Sequence, residues 1–386
     1  MTTASSGPTA STDSAVSANP TVPPLTVPIV AAPMAGGPST WQLAAAVSNA
    51  GGLGFLAGGM RPAAQLAEDV SAAREATDHA PTIGVNLFVP EPANTAIPTS
   101  RKTPESEARR RRAAEVAAYR SSLLPEAERL GVELPGDTET GTPLDPDAMD
   151  GWEEKLAAVE ADGWPVVTFT FGLPAPEVFD RLHASGSVLG VTVTSVDEAV
   201  AALDNGADVL CLQGPEAGGH RSVHDPAADP GATGLLDLLT QVRTAVGNEV
   251  PVFAAGGIMD ARGVQAVLDA GATAAQCGTA FLRAEEAGTS ALHRDALDRA
   301  ATGTGASKTA LTRAFSGRWA RGLENRFMRE HADAPAAYPE INALTKPVRA
   351  AATQSGDAES VSLWAGVGAE RTRSAPAAVI VEDLTP

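Results

Sequence analysis

The segment VLGVTVTSVDEAVAALDNGADVLCLQG, residues 188–214, decides the fold of this chain. Two short apolar runs, Val188–Val193 and Ala207–Gln213, enclose an amphipathic stretch at Val196–Asn205. Ser195 followed by two acidic residues is typical of a helix start, and the Asn-Gly pair that closes the stretch is typical of a helix end. Apolar runs of this kind, joined by a helix, predict parallel strands with both faces covered.

The same strand–helix unit recurs from about residue 25 to residue 285. Six more apolar runs, bounded by Gly and Pro, predict strands at Pro28–Pro33, Gly52–Ala57, Thr82–Phe88, Pro165–Phe171, Val250–Ala255 and Thr273–Gly278. The stretches between them predict helices at Thr40–Ala50, Ala63–Ala76, Trp152–Ala161, Ala175–His183, Leu235–Val246 and Ala261–Ala270. An open doubly wound sheet alternates in the same way, but eight consecutive units favour a closed (β/α)8 TIM barrel. In that fold the chemistry gathers at the carboxyl ends of the strands.

The chain has 386 residues, more than the roughly 250 that one barrel needs, so the sequence predicts additions to it. Residues 1–24, rich in Thr, Ser, Ala and Pro, predict a disordered leader. We expect the barrel at residues 25–330, with a helical insertion after the third strand at about residues 89–151. Mixed helix and loop is expected after residue 285, and residues 331–386 are expected to form a helical C-terminal extension.

The insertion breaks the alternating pattern. Within it, Pro104–Leu130 predicts an exposed helical pair and Thr138–Pro146 predicts a loop. Acidic neighbours and helical spacing place the run Arg109–Arg112 on a solvated helix face rather than in an anion-binding patch. An insertion at the carboxyl end of a strand is also where a lid would lie.

Composition excludes several classes of protein. The chain carries 47 acidic and 28 basic residues, a net charge of −19, so we expect no binding to nucleic acid or to an anionic membrane. Residues 25–60 carry no charge, but Gly and Pro cut this segment into pieces too short to cross a membrane. The two cysteines, Cys211 and Cys277, form no CxxC motif, which excludes a disulfide framework or a zinc ribbon, and no metal site is expected. We therefore expect a soluble, cytoplasmic, globular protein.

Three Gly-rich segments follow the last three predicted strands. They are QGPEAGGH at residues 213–220, AAGGI at residues 254–258 and QCGT at residues 276–279. Glycines let backbone N–H groups approach an anion, and the loops after the seventh and eighth strands form the usual phosphate site of this barrel. The sequence therefore predicts a phosphate cradle that includes Gly218, Gly219, Gly256, Gly257, Gln276, Cys277, Gly278 and Thr279.

Residues at other strand ends favour a whole phosphorylated cofactor over a small phosphorylated substrate. Asn86 and Gln213 are amides that suit the edge of a heterocycle, although capping of loop backbone explains them equally well. Pro33 and Met34, after the first strand, offer backbone groups and a thioether to a planar ring. His220 is the candidate acid–base group, because an imidazole near its ordinary pKa exchanges a proton at neutral pH, and a loop histidine bonded to backbone is the alternative.

The other candidate reactive side chains are expected to be bystanders. His224 lies beside an Asp-Pro pair and is interpreted as a loop histidine, and the remaining four histidines are predicted to be incidental. Cys211 lies within a strand, where a buried inert thiol is expected. Cys277 flanks the phosphate loop without an adjacent base, so a cysteine nucleophile is not favoured.

Together these motifs resemble the nitronate monooxygenase family, FMN-dependent barrel enzymes formerly called 2-nitropropane dioxygenases. The matching stretches are APMAGGPST at residues 32–40 with NAGGLG at 49–54, GVNLF at 84–88, FGLP at 171–174, QGPEAGGHR at 213–221, and AAGGI at 254–258 through QCGTAFL at 276–282. Residues 315–328 match as well, so the resemblance spans about residues 25–330. The first and fourth stretches and the insertion are similar to the class I group.

The resemblance implies FMN held by Asn86, Gln213, Gly218, Gly257 and Gln276 through Thr279, with His220 near the flavin as an acid–base or substrate-orienting group. It implies oxidation of alkyl nitronates by O2 to a carbonyl compound and nitrite, with propionate 3-nitronate as the typical class I substrate. A nitronate is an anion that already carries the electrons to be lost, so it needs an acceptor and polar donors more than a strong base. A monomer or homodimer is expected.

This chain departs from the class I pattern in its aromatic residues. It has only two tyrosines, Tyr119 and Tyr338, where class I members place several near the substrate, and Phe169, Phe171 and Trp319 are the expected replacements. Three alternatives stay open: an FMN-dependent enoyl-acyl-carrier-protein reductase that uses NAD(P)H, a barrel that binds a phosphorylated metabolite without flavin, and a flavin-binding homologue in a biosynthetic pathway.

Overall fold

The computed structural model describes residues 21–78, 82–90, 105–136 and 150–386. Most of the expected leader, and the whole of the loop expected at Thr138–Pro146, lie outside these residues. Eight parallel strands form the predicted TIM barrel, which is confirmed: β1 Ile29–Ala31, β2 Gly54–Ala57, β3 Ile83–Phe88, β4 Val166–Thr170, β5 Val188–Val193, β6 Val209–Gln213, β8 Val252–Ala255 and β9 Ala274–Cys277.

The barrel is closed by pairing between its first two strands. Neighbouring strands follow the order β1-β9-β8-β6-β5-β4-β3-β2, with every pair parallel. A bridge between Val30 and Leu53 joins the two ends of this sheet, where the Leu53 N–H donates to the Ile29 carbonyl oxygen at 2.9 Å. Phe55 fills the barrel interior against Gly84, where a Cβ would lie 2.4 Å from the Phe55 ring. Because side chains fill the interior of the barrel, a functional site must be formed by the loops at the ends of its strands.

Helices surround the barrel and link its strands. They are α1 Trp41–Asn49, α2 Ala63–Glu75, α5 Trp152–Asp162, α6 Pro176–Ala184, α7 Val196–Asp204, α8 Leu235–Val246 and α9 Ala261–Asp269. The expected start of α7 is observed, because the Ser195 side chain accepts a hydrogen bond from the Glu198 N–H at 3.2 Å. In the described part of the chain, no helix is long and apolar enough to span a membrane.

A small antiparallel sheet covers the open end of the barrel. It consists of β7 Gly219–His220, β10 Thr309–Thr312 and β11 Ala320–Leu323, in the order β10-β11-β7. The expectation of only helix and loop after residue 285 is therefore wrong. The sequence of β11, Ala-Arg-Gly-Leu, lacks the β-branched and aromatic residues that mark strands. β11 pairs with the two-residue β7 because the fold brings these two distant segments together.

The C-terminal segment returns to the barrel. Its helices are α10 Ala291–Ala301, α11 Arg326–Glu330, α12 Glu340–Ser355 and α13 Ala377–Leu384. Helix α13 packs against α1 and α9 and buries Ile380 and Leu384, so the last helix of the chain completes the ring around the barrel.

The insertion forms helices α3 Glu105–Ser122 and α4 Leu124–Leu130, as expected for a helical pair. The pair is exposed on one side only, because Tyr119 and Leu123 are buried in a cluster with residues of α12. The Tyr119 hydroxyl donates to the Ala314 carbonyl oxygen at 2.6 Å. Arg112 donates to both carboxylate oxygens of Glu340, at 2.8 and 2.7 Å, at the start of α12. The described insertion helices are therefore anchored to the C-terminal segment.

Candidate active site

One cavity of about 560 Å³ lies at the carboxyl ends of the barrel strands. It brings together all thirteen residues that the sequence predicts for the site, from five different strand ends: Pro33, Met34, Asn86, Gln213, Gly218, Gly219, His220, Gly256, Gly257, Gln276, Cys277, Gly278 and Thr279. Such convergence from distant parts of the chain is what the TIM barrel predicts for a functional site.

The Gly-rich loops adopt conformations that other residues rarely adopt. Gly256 has φ +142° and Gly257 has φ +67°, between the end of β8 and the Asp260 cap of α9. A Cβ on Gly257 would also lie 3.1 Å from the Glu216 Cβ. Gly218 is needed for a different reason, because its Cβ would lie 2.5 Å from the Gly366 nitrogen in the C-terminal segment. The loops therefore form a backbone-lined cradle that larger residues would disturb.

Three of the amide side chains that line the cavity, all at strand ends, differ in their hydrogen bonds. Gln213 caps the loop after β6, as its Nε2 donates to the His220 carbonyl oxygen at 2.9 Å and its Oε1 accepts from the Ser222 N–H at 2.9 Å. The Asn86 Nδ2 bonds within the barrel, to Thr170 Oγ1 at 2.8 Å. The Gln276 Oε1 is buried and lacks a partner among the described residues. A buried polar atom without a partner costs free energy, so Gln276 marks a position suited to a polar ligand group.

His220 is a neutral imidazole held in an aromatic enclosure. Its Nε2 lies 2.8 Å from Ser316 Oγ, and its ring packs edge-on against Phe171 at 5.8 Å and Trp364 at 5.3 Å. Desolvation, together with the positive charges of Arg318 and Arg349, lowers the pKa of His220 to about 3. The ordinary pKa assumed in the sequence analysis is therefore absent, and the enclosure favours an orienting role over proton transfer.

The cavity is lined by three cationic side chains and, among its described residues, by no carboxylate. The cations are Arg318, Lys346 and Arg349, in a chain whose net charge is −19. Desolvation lowers the pKa of Arg349 to about 10. The Arg349 guanidinium donates to neutral groups, the nearest being Asn342 Oδ1 at 2.7 Å from Nη2. Burying a cation without a counter-ion is costly, so this cavity is organised for an anion.

One face of helix α12 supplies much of this lining, which the sequence analysis missed. Five residues of α12, namely Asn342, Lys346, Arg349, Ala350 and Thr353, face the cavity over about 16 Å at 1.5 Å per residue. Ile341, Leu344 and Val348 are buried on the other side of the helix. The helical spacing of apolar residues would have identified the buried face, but nothing in the sequence showed that the opposite face meets a cavity.

Three of the sequence-based predictions for aromatic residues and histidines are wrong, those for Phe169, Trp319 and His293. Phe171 lines the cavity as expected, but Phe169 is buried in the core and Trp319 lies beneath the Arg313 guanidinium, 4.4 Å from it. Trp364, which the sequence analysis did not single out, lines the cavity instead, as does Tyr338.

His293, predicted to be incidental, also lines the cavity, where burial lowers its pKa to about 4. His224 is a bystander as expected, with Nε2 3.0 Å from the Thr192 carbonyl oxygen. His79 lies outside the described residues. Cys211 and Cys277 are buried thiols, and burial raises the pKa of each to about 12.

Comparison with known proteins identifies relatives over almost the whole chain. The nitronate monooxygenase family model matches residues 23–386. A probable nitronate monooxygenase from Staphylococcus aureus (strain Newman) is 35% identical over 362 residues, which cover 92% of this chain and 93% of the relative. Among solved structures, nitroalkane oxidase from Streptomyces ansochromogenes is 43% identical, with a TM-score of 0.80 over 93% of this chain and 95% of that one. FabK from Thermotoga maritima is 25% identical, with a TM-score of 0.66 over 93% and 92% of the two chains.

The environment of His220 predicts that its imidazole stays neutral from pH 8 down to about pH 5, because a pKa lowered to about 3 favours the uncharged ring over this range. Two-dimensional NMR of protein with ¹⁵N-labelled histidine would measure this, and the His220→Asn variant would assign the signal. A His220 titration centred near its ordinary value of 6.5 would contradict the enclosure described above.

Proposed function

The chain belongs to the nitronate monooxygenase family and is a flavin-dependent oxidoreductase, and from this premise we propose that it binds FMN and oxidises alkyl nitronates with O2 to a carbonyl compound and nitrite. The observation that carries the proposal is the charge of the cavity. In an acidic protein, it collects three cations and, among its described lining residues, excludes carboxylates. Such a site favours a phosphate-bearing cofactor and an anionic substrate.

The residues of the cavity fit FMN. Gly256 and Gly257 adopt positive φ without strain before the capped start of α9, and they offer backbone N–H groups to a phosphate. Gln276 Oε1, buried without a described partner, suits a hydroxyl or ring N–H of the cofactor. Pro33 and Met34 would flank the ring, with Asn86 and Gln213 at its edge. When bound, FMN supplies the acceptor for the electron pair that the nitronate loses.

Residues around His220 are proposed to hold the nitronate. Its Nε2 is engaged by Ser316, which leaves Nδ1 for a hydrogen bond to a substrate oxygen. The Arg318 guanidinium stacks 4.6 Å from the Phe171 ring, beside this histidine, and contributes positive charge. An imidazole whose pKa is lowered to about 3 is a weak base, and this suits a substrate that has already lost its proton.

The cations on α12 favour substrates with a second anionic group. Lys346 and Arg349 lie one turn apart on the face of the helix that lines the cavity. The nitronate group needs only one anion-binding region, so these two side chains suit a carboxylate at the other end of the substrate. Propionate 3-nitronate has this arrangement, and we propose it as the substrate type.

The cradle predicts that Gly257→Val loses FMN, because valine is strained at φ +67° and would crowd Glu216. The measurement is the flavin content of the purified variant after incubation with FMN and desalting, which we expect to fall well below one per chain. Gly247→Val is the matched control, since Gly247 has φ +80°, ends α8 and does not line the cavity. Full FMN occupancy in folded Gly257→Val would contradict the cradle.

Anaerobic mixing tests the activity directly. We expect propionate 3-nitronate alone to bleach the visible flavin absorbance and NADH alone to leave it unchanged. His220→Asn should keep its FMN and slow the bleaching by about 10-fold or more, because it removes a hydrogen bond to a charged substrate. Bleaching by NADH alone would instead support the reductase alternative, and a colourless protein that refuses added FMN would remove flavin chemistry altogether.

The proposed carboxylate contact predicts a selective effect of Lys346→Met. Loss of a charge-assisted hydrogen bond should raise KM for propionate 3-nitronate about 10-fold. The kcat/KM for ethyl nitronate, which has no carboxylate, should stay within about twofold of the wild type, and Lys346→Arg should restore most of the loss. Equal effects on both nitronates would show that Lys346 does not recognise the substrate carboxylate.

A further inference from the structure

Two residues other than glycine have positive φ in the described part of the chain, and both line the cavity. They are Met60, with φ +60°, and Phe171, with φ +75°. A residue with a Cβ is strained in this region, so the surrounding structure must impose the conformation. Both occurrences fall at the site and none in the rest of the described chain, which indicates that the strain serves the site.

The backbone at Met60 is fixed by a buried ion pair. The Met60 N–H donates to Asp150 Oδ1 at 2.7 Å, and the same oxygen lies 2.7 Å from the Lys155 ammonium. The Lys155 side chain is fully buried on α5, and a buried lysine is stable only when it is paired. The neighbouring Gly58 N–H donates to the Asn86 carbonyl oxygen at 2.7 Å. The backbone of this loop is therefore fixed at Gly58 and at Met60, whereas Met60 itself is 62% exposed.

An apolar wall connects Met60 to His220. The His220 ring packs 5.8 Å from Phe171, and the Phe171 ring packs 4.6 Å from Phe88. Gly59 lies directly against Phe88, since its Cβ would fall 2.3 Å from the ring. Met60 follows Gly59 and lines the same cavity, with its Cε 4.0 Å from the position that a Cβ on Gly36 would occupy. One cation also lies against this wall, since the Arg318 guanidinium stacks 4.6 Å from the Phe171 ring.

We propose that Met60 is a specificity-determining residue that contacts the alkyl chain of the substrate, and that Asp150 and Lys155 are positioning residues that hold it at the rim. This inference rests on the proposed oxidation of nitronates at His220. A nitronate group held at His220 would direct an alkyl chain along Phe171 and Phe88 to the Met60 thioether. The flexible methionine side chain adapts to chains of different length. We therefore expect the site to accept, besides carboxylated nitronates, unbranched alkyl nitronates long enough to reach Met60.

Steady-state oxidation of ethyl, butyl and hexyl nitronate by the FMN-loaded enzyme tests the proposal. Each buried methylene is worth up to about a fourfold gain in kcat/KM. We expect Met60→Ala to lower the hexyl-to-ethyl ratio of kcat/KM by about 10-fold, mainly through KM for hexyl nitronate, and to leave ethyl nitronate within about twofold of the wild type. Leu236→Ala is the matched control, because Leu236 is also exposed but does not line the cavity.

Two further variants test the positioning residues. Asp150→Ala removes the acceptor for the Met60 N–H and should reproduce the selective rise in KM for hexyl nitronate, with kcat unchanged. The double variant Asp150→Asn, Lys155→Met keeps a carbonyl acceptor and removes both charges, so it should recover the wild-type ratio.

The possible outcomes distinguish a failure of the role proposed for Met60 from a failure of the proposed nitronate oxidation. A wild-type enzyme that oxidises none of the three nitronates would overturn both. A wild-type enzyme that oxidises them, with a hexyl-to-ethyl ratio that Met60→Ala leaves unchanged or increases, would overturn the role of Met60 alone.

Discussion

The helix Glu340–Ser355 lies over the open end of the barrel, and the site depends on this contact. The barrel supplies glycines, amides and a histidine, but the two cations Lys346 and Arg349 come from this helix. Arg112 of the insertion holds its first turn through both oxygens of Glu340. Buried residues of the insertion, among them Leu123, pack with Leu344 on the far side of the helix. The insertion therefore acts on the site indirectly, by fixing the helix that faces it.

The cationic side chains of the cavity also influence the protonation state of His220. The guanidinium groups of Arg318 and Arg349 raise the electrostatic potential at His220, and packing among aromatic rings reduces its hydration. Both effects disfavour the imidazolium ion, so the positive charge of the cavity resides on the arginines and the lysine. An anion that enters is then met by fixed cations and by a neutral hydrogen-bonding ring. Because desolvation strengthens such interactions, a few groups suffice to orient a small substrate.

Local sequence patterns predicted the barrel well because each strand–helix unit carries its own boundaries. The eight strands and their helices lie where apolar runs and Gly-Pro punctuation placed them, and Ser195 caps its helix as expected. The candidate site residues share one cavity because parallel strands of a barrel end at one rim. The strand Ala320–Leu323 was missed because its residues are not typical of strands, and because part of its pairing joins Ala320 to His220, about 100 positions away. Trp364 and the polar face of α12 were missed for the second of these reasons, and the lowered pKa of His220 is a property of the assembled enclosure.

The two walls of the cavity show where discrimination between substrates arises in such a site. All nitronates share the group that reacts, and they arrive without the proton that a base would remove. The residues near His220 therefore treat them alike, and differences in kcat/KM must come from the rest of the substrate molecule. In this chain the non-reacting part of the substrate would contact either the cations of α12 or the apolar residues from Phe171 to Met60. The side chains of Phe88 and Met60 offer a carboxylate no hydrogen-bond donor, and an alkyl chain against Lys346 would displace water from a charge. Each wall thus rejects what the other accepts, so exchanging residues on one wall should shift substrate preference without changing the reaction.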